Sequence, residues 1–127
     1  MSKVVLDSSA LLAFINRETG RDVVAALLDD AVINAVNVSE VAAKLAEVGF
    51  DAVEIRDGLE AIGVEVVSCD KELAYVGGLL RPATKPHGLS LGDRLCLALA
   101  QRLGAPVLTA DRAWAGVRIG VEIRPIR

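Results

Sequence analysis

Short aliphatic runs alternate along this chain with longer segments whose apolar residues recur at helical spacing. The short runs predict strands at residues 4–6, 31–36, 64–67, 107–108 and 121–123. The longer segments predict helices at residues 8–16, 22–28, 38–48, 51–62, 71–80 and 91–103. Because strands separated by helices form βαβ units, this alternation predicts a parallel sheet with helices on both faces. Residues 81–90, which contain two prolines and a glycine, are predicted to form a loop.

The composition favours the same fold class. Hydrophobic residues make up 53% of the 127 residues and aromatic residues only 3%, so the core must be built from Val, Leu, Ile and Ala. Such side chains suit a parallel sheet that helices bury on both faces. The length suits one domain with a real core. No apolar run approaches the roughly 20 residues of a membrane span, and the N-terminus is charged too early for a signal peptide, so we expect a cytoplasmic protein.

The net charge, the nucleotide-binding motifs that the sequence lacks and the positions of the cysteines narrow the possible functions. The formal net charge of −3 does not by itself favour nucleic acid as a partner, although an acidic active site would lower the total. The sequence contains neither GxGxxG nor GxxxxGK[ST], which argues against dinucleotide and P-loop nucleotide binding. Cys69 and Cys96 do not form a CxxC pair, so we expect two reduced thiols.

Four carboxylates follow predicted strands or begin predicted helices. They are Asp7, Glu40, Asp93 and Asp111. In an open α/β sheet such positions meet in the crevice outside the carboxyl ends of the strands. Two carboxylates about 5 Å apart repel by about 3 kcal/mol at an effective dielectric of about 20. A cluster of four therefore favours a divalent metal ion at this edge, and metal-dependent hydrolysis of a phosphodiester as its chemistry.

Helix capping offers a competing explanation for two of these carboxylates. Asn37 and Glu40 have the spacing of a capping box, in which an N-cap side chain and an acid three residues later bond each other's backbone N–H groups. Ser90 and Asp93 have the same spacing. Asp93, however, begins an almost wholly apolar helix, and a charge entering a buried helix needs a partner or a metal. Both roles stay open for these two acids.

Asp7 and Asp111 are better placed for a functional role. Asp7 follows the first strand, which is usually central in a doubly wound sheet, so its end lies where ligand sites form. Ser8 and Ser9 could cap the following helix without it. Asp111 follows the fourth strand, although capping by Thr109 or Asp111 is an alternative there.

The sequence around the four carboxylates resembles the motifs of a known family. VVLDSSALL at residues 4–12 resembles the opening of PIN domains. SEV at 39–41, LSLGD at 89–93 and LTADR at 108–112 resemble the next three motifs, in the same order. Over nearly its whole length the chain is similar to VapC toxins, the ribonuclease half of type II toxin–antitoxin pairs.

The resemblance implies a three-layer α/β/α PIN-like fold with a roughly five-stranded parallel sheet, in a single domain spanning residues 1–127. It implies Mg²⁺ or Mn²⁺ as cofactor, single-stranded regions of tRNA or rRNA as substrate, a homodimer and a cognate VapB-type antitoxin. By motif position, the implied catalytic acids are Asp7, Glu40, Asp93 and Asp111, of which Asp7, Asp93 and Asp111 would bind the metal, with Ser9 and Thr109 in support.

Basic residues near these motifs are candidates for contact with the substrate. Arg94 and Arg112 each follow an acid of the set and are candidates for phosphate contact. Arg81 and Lys85, in the predicted loop, are candidates for guiding RNA, and a plain solvated loop is the alternative there.

Two other functions stay open at this point. One is a metal-dependent phosphohydrolase that acts on small phosphoesters. A haloacid-dehalogenase-type enzyme would have a second Asp two residues after Asp7, where Ser9 stands, and a receiver domain would have paired acids after the first strand. The other is a non-catalytic PIN-like module that binds RNA or protein, with the carboxylates acting only as helix caps.

Overall fold

A computed structural model describes residues 2–127 and contains the predicted five-stranded parallel sheet. The strand order is β3-β2-β1-β4-β5, and all four pairings are parallel. Because β2 and β4 both pair with β1, the first strand is central, as predicted. The strands are β1 (Val4–Leu6), β2 (Ala31–Asn34), β3 (Glu65–Val67), β4 (Val107–Thr109) and β5 (Ile123–Pro125).

Helices surround the sheet on both faces, and the sequence explains several of their ends. An exposed capping box of Asp51 and Glu54 begins α4, and a left-handed glycine, Gly63, ends it. The α-helices are α1 (Ser8–Ile15), α2 (Arg21–Leu27), α3 (Ala35–Glu47), α4 (Ala52–Ile62), α5 (Lys71–Leu79), α6 (Arg81–Thr84) and α7 (Leu91–Leu103). Short 3₁₀ turns cover Leu28–Asp30, Lys85–His87 and Arg112–Trp114.

Two hydrophobic cores lie on opposite faces of the sheet because successive strand residues point in opposite directions. In β1, Val5 packs into the core formed with α5 and α7. Val4 and Leu6 pack into the core formed with α1, α2 and α3. Residues 95–100 of α7 are all apolar and buried, so the middle of this helix packs tightly and holds the N-terminal turn that carries Asp93 against the sheet edge. None of the helices formed by residues 2–127 is long and apolar enough to cross a membrane.

Most predicted boundaries agree with the structure to within two residues, and three differences are informative. Helix α3 begins at Ala35, because the Asn34 side chain accepts the Val36 N–H and caps the helix three residues earlier than predicted. Residues 81–90 are not a plain loop, since Pro82 and Pro86 stand in the first turns of α6 and a 3₁₀ turn, where proline is tolerated. Strand β5 covers 123–125 instead of 121–123.

Candidate active site

Asp7 lies at the end of the central strand and caps α1. Its side chain is only 3% exposed. The Ala10 N–H donates to its Oδ1 at 2.8 Å, and Ser9 Oγ lies 2.8 Å from both carboxylate oxygens. The Thr109 hydroxyl, at the end of the neighbouring strand β4, donates to Oδ2. The buried carboxylate is therefore fixed from both α1 and β4.

Burial makes the ionised form of Asp7 costly. Loss of solvent raises the pKa of Asp7 from 3.8 to about 6, with a further small rise from the negative charge of Asp93. The hydrogen bonds from Thr109, Ala10 and Ser9 oppose this rise and only partly offset it. A cation at the strand end would reverse the balance, because it would stabilise the charged carboxylate.

Hydrogen bonds of two hydroxyl groups connect the end of β4 to the start of α1. Ser9 Oγ accepts the Ala110 N–H at 2.9 Å, and Thr109 Oγ1 accepts the Asp111 N–H at 3.0 Å. The two hydroxyl oxygens are themselves 3.3 Å apart. Both side chains therefore orient the Asp7 carboxylate and the backbone that carries Asp111.

Glu40 reaches away from its own helix towards the start of α7. Ser8 Oγ and Asn37 Nδ2 both donate to Glu40 Oε1, the second at 2.8 Å, and Asn37 also donates to the Gly92 carbonyl at 3.1 Å. A Cβ placed on Gly92 would lie 2.6 Å from Glu40 Oε1 and Cδ. The predicted capping box of Asn37 and Glu40 is therefore wrong, and Glu40 packs on the helix that carries Asp93.

Asp93 combines a cap with a place beside the other acids. Its Oδ2 accepts the Ser90 N–H at 2.9 Å, and its own N–H donates to Ser90 Oγ at 3.2 Å, so the predicted capping box is present. Burial raises the pKa of Asp93, and the negative charges of Glu40 and Asp111 raise it further, although the Ser90 bonds oppose the change. The two roles considered from the sequence thus coexist in one side chain.

Asp111 is the exposed member of the set. It caps the 3₁₀ turn Arg112–Trp114, where its Oδ1 accepts the Ala113 N–H at 2.9 Å. Its charge is close enough to raise the pKa of Asp93. Asp111 therefore faces solvent at the same sheet edge as the buried acids.

The carboxylates share one neighbourhood, and no basic side chain of residues 2–127 forms an ion pair with them. The buried Cys96 thiol lies beneath them, and after burial itself the charges of Asp7, Asp93 and Glu40 raise the pKa of Cys96. Over residues 2–127, no three acidic, histidine or cysteine side chains converge as closely as a metal site requires, since each carboxylate is turned towards its own hydrogen-bond donors.

The predicted substrate-contact residues occupy different places. Arg94 donates to the Gly77 carbonyl at 3.2 Å and so joins α7 to α5, and its buried Nε has no acceptor in the part of the chain described. Arg112 is exposed beside Asp111. Arg81 and Lys85 are exposed on α6 and the turn that follows it.

Three residues with a part in this site escaped the sequence analysis as site residues. Ser8 and Asn37 hold Glu40, and Gly92 provides the space into which Glu40 packs. A glycine in the first turn of an apolar helix is the one available signal, because glycine disfavours helix by about 1 kcal/mol and so needs a packing reason.

Several solved structures share this fold. A chain in the DNA-bound VapBC structure from Salmonella typhimurium is 19% identical, with both chains fully covered and a TM-score of 0.76. VapC20 from Mycobacterium tuberculosis, described as a sarcin-ricin loop cleaving toxin, is 15% identical, with 94% of this chain and 99% of that chain covered and a TM-score of 0.74. VapBC-1 from nontypeable Haemophilus influenzae is 17% identical, with 97% of each chain covered and a TM-score of 0.72.

Sequence comparison gives the family directly. No protein with a curated description matches this chain significantly. The family model of the PIN domain matches residues 4–119, which include all four acids and the strands that carry them. The chain belongs to the PIN domain family.

Proposed function

We propose that this protein is a metal-dependent endoribonuclease toxin that cleaves single-stranded regions of RNA, tRNA or rRNA, and that a cognate VapB-type antitoxin neutralises it. Residues 1–127 would form a single PIN domain acting in the cytoplasm, where such RNA is found. Support comes from the family and from structural neighbours that are VapBC complexes or, in one case, a sarcin-ricin loop cleaving toxin.

One observation carries the proposal. Asp7 is an almost fully buried acid whose pKa is raised to about 6, with Asp93 close enough to raise it further and no cationic partner among residues 2–127. Burying such a charge without compensation costs several kcal/mol as an order of magnitude. A purely structural cap would not need it, because Ser8 or Ser9 could cap α1 at lower cost.

The donor set fits a hard divalent cation. Asp7, Asp93 and Asp111 offer only oxygen ligands, and no cysteine or histidine belongs to the set, which suits Mg²⁺ or Mn²⁺ better than softer metals. Mg²⁺ commonly binds through one or two carboxylates and keeps several waters, so three converging side chains are not required. We therefore assign metal binding to Asp7, Asp93 and Asp111, with Ser9 and Thr109 orienting Asp7.

The protein side chains have distinct parts in the proposed reaction. When bound, the metal would supply an activated water and offset the charge that develops on the phosphate. Glu40, which Ser8 and Asn37 hold in place, would orient or deprotonate the attacking water. Because the buried Asp7 is fixed by three donors, little reorganisation is needed when charge builds up at the strand ends.

The same comparisons support a proposal about an antitoxin partner, and the family resemblance suggests a homodimer. Several similar structures are toxin–antitoxin complexes, two of them bound to DNA. We propose that this chain forms a homodimer and is silenced by its own antitoxin in a comparable complex.

The proposal is tested by cleavage of total RNA with Mg²⁺ or Mn²⁺. We expect cleavage that EDTA abolishes and that Asp7→Asn and Asp93→Asn abolish without changing the circular dichroism spectrum. Full activity in either variant would contradict the assignment of the site. Hydrolysis of nitrophenyl phosphate without RNA cleavage would instead indicate a phosphohydrolase, and RNA binding without any hydrolysis would indicate a non-catalytic module.

A further inference from the structure

A groove of about 810 Å³ extends from the acidic site along the edge of the sheet. One wall is the segment 111–118 that follows β4, and the other is β5 with its flanking residues. Thr109 and Asp111 line it as well, and Thr109 also bonds Asp7. The groove and the acidic site are therefore continuous. We call it the β5 groove.

The β5 groove carries positive charge that the protein itself does not neutralise. Arg112 and Arg118 line it, are exposed, and form no ion pair within residues 2–127. The two other arginines of this region, Arg124 and Arg127, pair with glutamates at 2.5 and 3.2 Å. In a chain of net charge −3, two free guanidinium groups beside an acidic site favour an anionic ligand.

Two further polar side chains lie in or next to the wall of this groove. The Trp114 side chain lines the groove, and its buried Nε1–H has no acceptor in the part of the chain described. His87 does not line the groove, but its Cε1 lies 3.4 Å from the position of a Cβ on Gly116, which does line it. The buried indole N–H next to the groove wall lacks a partner among residues 2–127, so an acceptor oxygen at this position would satisfy it.

A peptide strand fits the groove less well than a nucleic acid. Strand β5 is the last in the sheet, and a peptide could in principle pair with its free edge. The N–H of Ile126 bonds Thr109 of β4, so odd-numbered residues of β5 face the free edge. Pro125 is one of these outward-facing residues, and it has no N–H to donate. The free edge consequently offers little for strand addition.

We propose that the β5 groove is the subsite that binds the RNA strand beside the scissile phosphate, with Arg112 and Arg118 contacting its backbone phosphates. This inference rests on the proposed ribonuclease function. It adds Arg118 and the groove wall to the substrate-contact residues, and it places His87 next to that wall at Gly116.

Binding can be measured without metal or turnover. The full-length Asp7→Asn protein, in EDTA, is titrated against a short fluorescein-labelled single-stranded RNA of mixed sequence, and anisotropy gives the Kd at several salt concentrations. We expect Arg118→Gln and Arg112→Gln each to weaken binding about tenfold. The slope of log affinity against log salt should fall by about 0.7 for each lost phosphate contact. Arg56→Gln is the matched control, because Arg56 is also exposed and unpaired but lies on α4 near the opposite edge of the sheet.

The position of the bound RNA has its own reporter. Trp114 is the only tryptophan of the chain, so its emission reports on the β5 groove specifically. We expect unlabelled RNA to change Trp114 emission with the Kd found by anisotropy, and Arg118→Gln to shift both curves equally. RNA bound elsewhere would raise the anisotropy and leave Trp114 emission unchanged, which would overturn the proposal.

The results also distinguish a failure of the proposed RNA subsite from a failure of the proposed ribonuclease function. If the wild-type protein cleaves RNA but neither arginine variant alters affinity or salt slope more than Arg56→Gln does, the β5 groove is not the RNA subsite and a protein partner is its better occupant. If the wild-type protein neither binds nor cleaves RNA, both the groove and the ribonuclease function are contradicted.

Discussion

Helices α4 and α7 begin with the same capping motif, but the two motifs have different surroundings. Asp51 and Glu54 form a capping box at α4, and Ser90 and Asp93 form one at α7. The α4 pair is exposed to solvent, whereas Asp93 is half-buried, and its burial together with the neighbouring negative charges raises its pKa. A capping box therefore tells where a helix begins. Burial and neighbouring charge decide whether its acid is available for chemistry.

The largest expected difference between the two helix starts is in catalysis. Asp93→Asn and Glu54→Gln each neutralise the capping-box acid, which is the third residue of its helix, and keep an oxygen that can accept the N-cap N–H. We expect Asp93→Asn to lower the RNA cleavage rate at least about a hundredfold, since even supporting groups at metal sites are worth 10- to 100-fold. Glu54→Gln should leave the rate unchanged. Equal rates in the two variants, measured with the same RNA, would remove the functional distinction between the helix starts.

Asp7 and Asp51 extend the comparison to buried and exposed N-caps. The folded-state pKa of Asp7 is about 6, above the unfolded value near 3.8, so its contribution to stability is fully present below pH 4 and is lost as pH rises through 6. Because the Asn side chain does not ionise, Asp7→Asn should not lose stability in this way as the pH rises. Without metal, the variant should gain up to about 3 kcal/mol over the wild type between pH 4 and pH 8.

Chemical denaturation at a series of pH values measures this gain. Asp51→Asn, at an exposed N-cap, is the matched control for replacing a capping aspartate by asparagine. Added Mn²⁺ should raise the Tm of the wild type at pH 7.5 and have no effect on Asp7→Asn. A pH profile of Asp7→Asn that runs parallel to the wild type would contradict the buried-charge explanation.

Two helical glycines sharpen the contrast between α4 and α7. Gly58 in α4 has no atom within 4 Å of an added Cβ, whereas at Gly92 the Cβ would meet the Glu40 carboxylate. Gly58→Ala should therefore stabilise the fold by about 0.5–1 kcal/mol, as alanine does in an open helix position. Gly92→Ala should displace Glu40 and lower the cleavage rate about tenfold, with no comparable gain in Tm. Unchanged cleavage by Gly92→Ala would argue that Glu40 has no part in the reaction.

The smallest effect is expected at the start of α5, where an exposed cap also forms an ion pair. Asp70 caps the helix and pairs with Arg102 at 2.8 Å, and the hydrogen bond from Arg102 lowers the pKa of Asp70 to about 2. This contribution is present above pH 4 and is lost as pH falls towards 2. Asp70→Asn, which keeps the cap, should lower the Tm slightly at pH 6 and match the wild type near pH 2. A difference that persists at pH 2 would show that capping, not the ion pair, had changed.

Much of the fold follows from the sequence because the hydrophobic periodicity and the residues that begin and end helices indicate the same elements. The central place of β1, the parallel sheet and the span of α7 between Ser90 and Gly104 were all predictable. The start of α3 was not, because Asn34 lies within an apolar run and its capping bond is invisible until the helix forms. Strand β5 shifts by two residues because pairing with β4 sets its register, which aligns Val107 with Ile123.

The sequence predicts which residues form the candidate site better than it predicts the hydrogen bonds between them. The positions of Asp7 and Asp93 at strand and helix ends follow from topology. The bonds from Ser8 and Asn37 to Glu40 do not, since they join helices that are distant in sequence and depend on the tertiary packing angle. Arg94 shows the converse, because sequence adjacency to Asp93 suggested phosphate contact while its Nη1 bonds the Gly77 carbonyl of α5.

The bond between Thr109 and Asp7 spans 102 residues of sequence, and this has a consequence for synthesis on the ribosome. A nascent chain that has emerged only through α7 already contains Asp7, Glu40 and Asp93. It still lacks the central pairing of β1 with β4 and the hydroxyl that fixes Asp7. Long-range pairing of this kind forms late in folding. Translation stopped at that point would therefore release an inert fragment, and a cell would meet the assembled carboxylates only after β4 has been made and inserted.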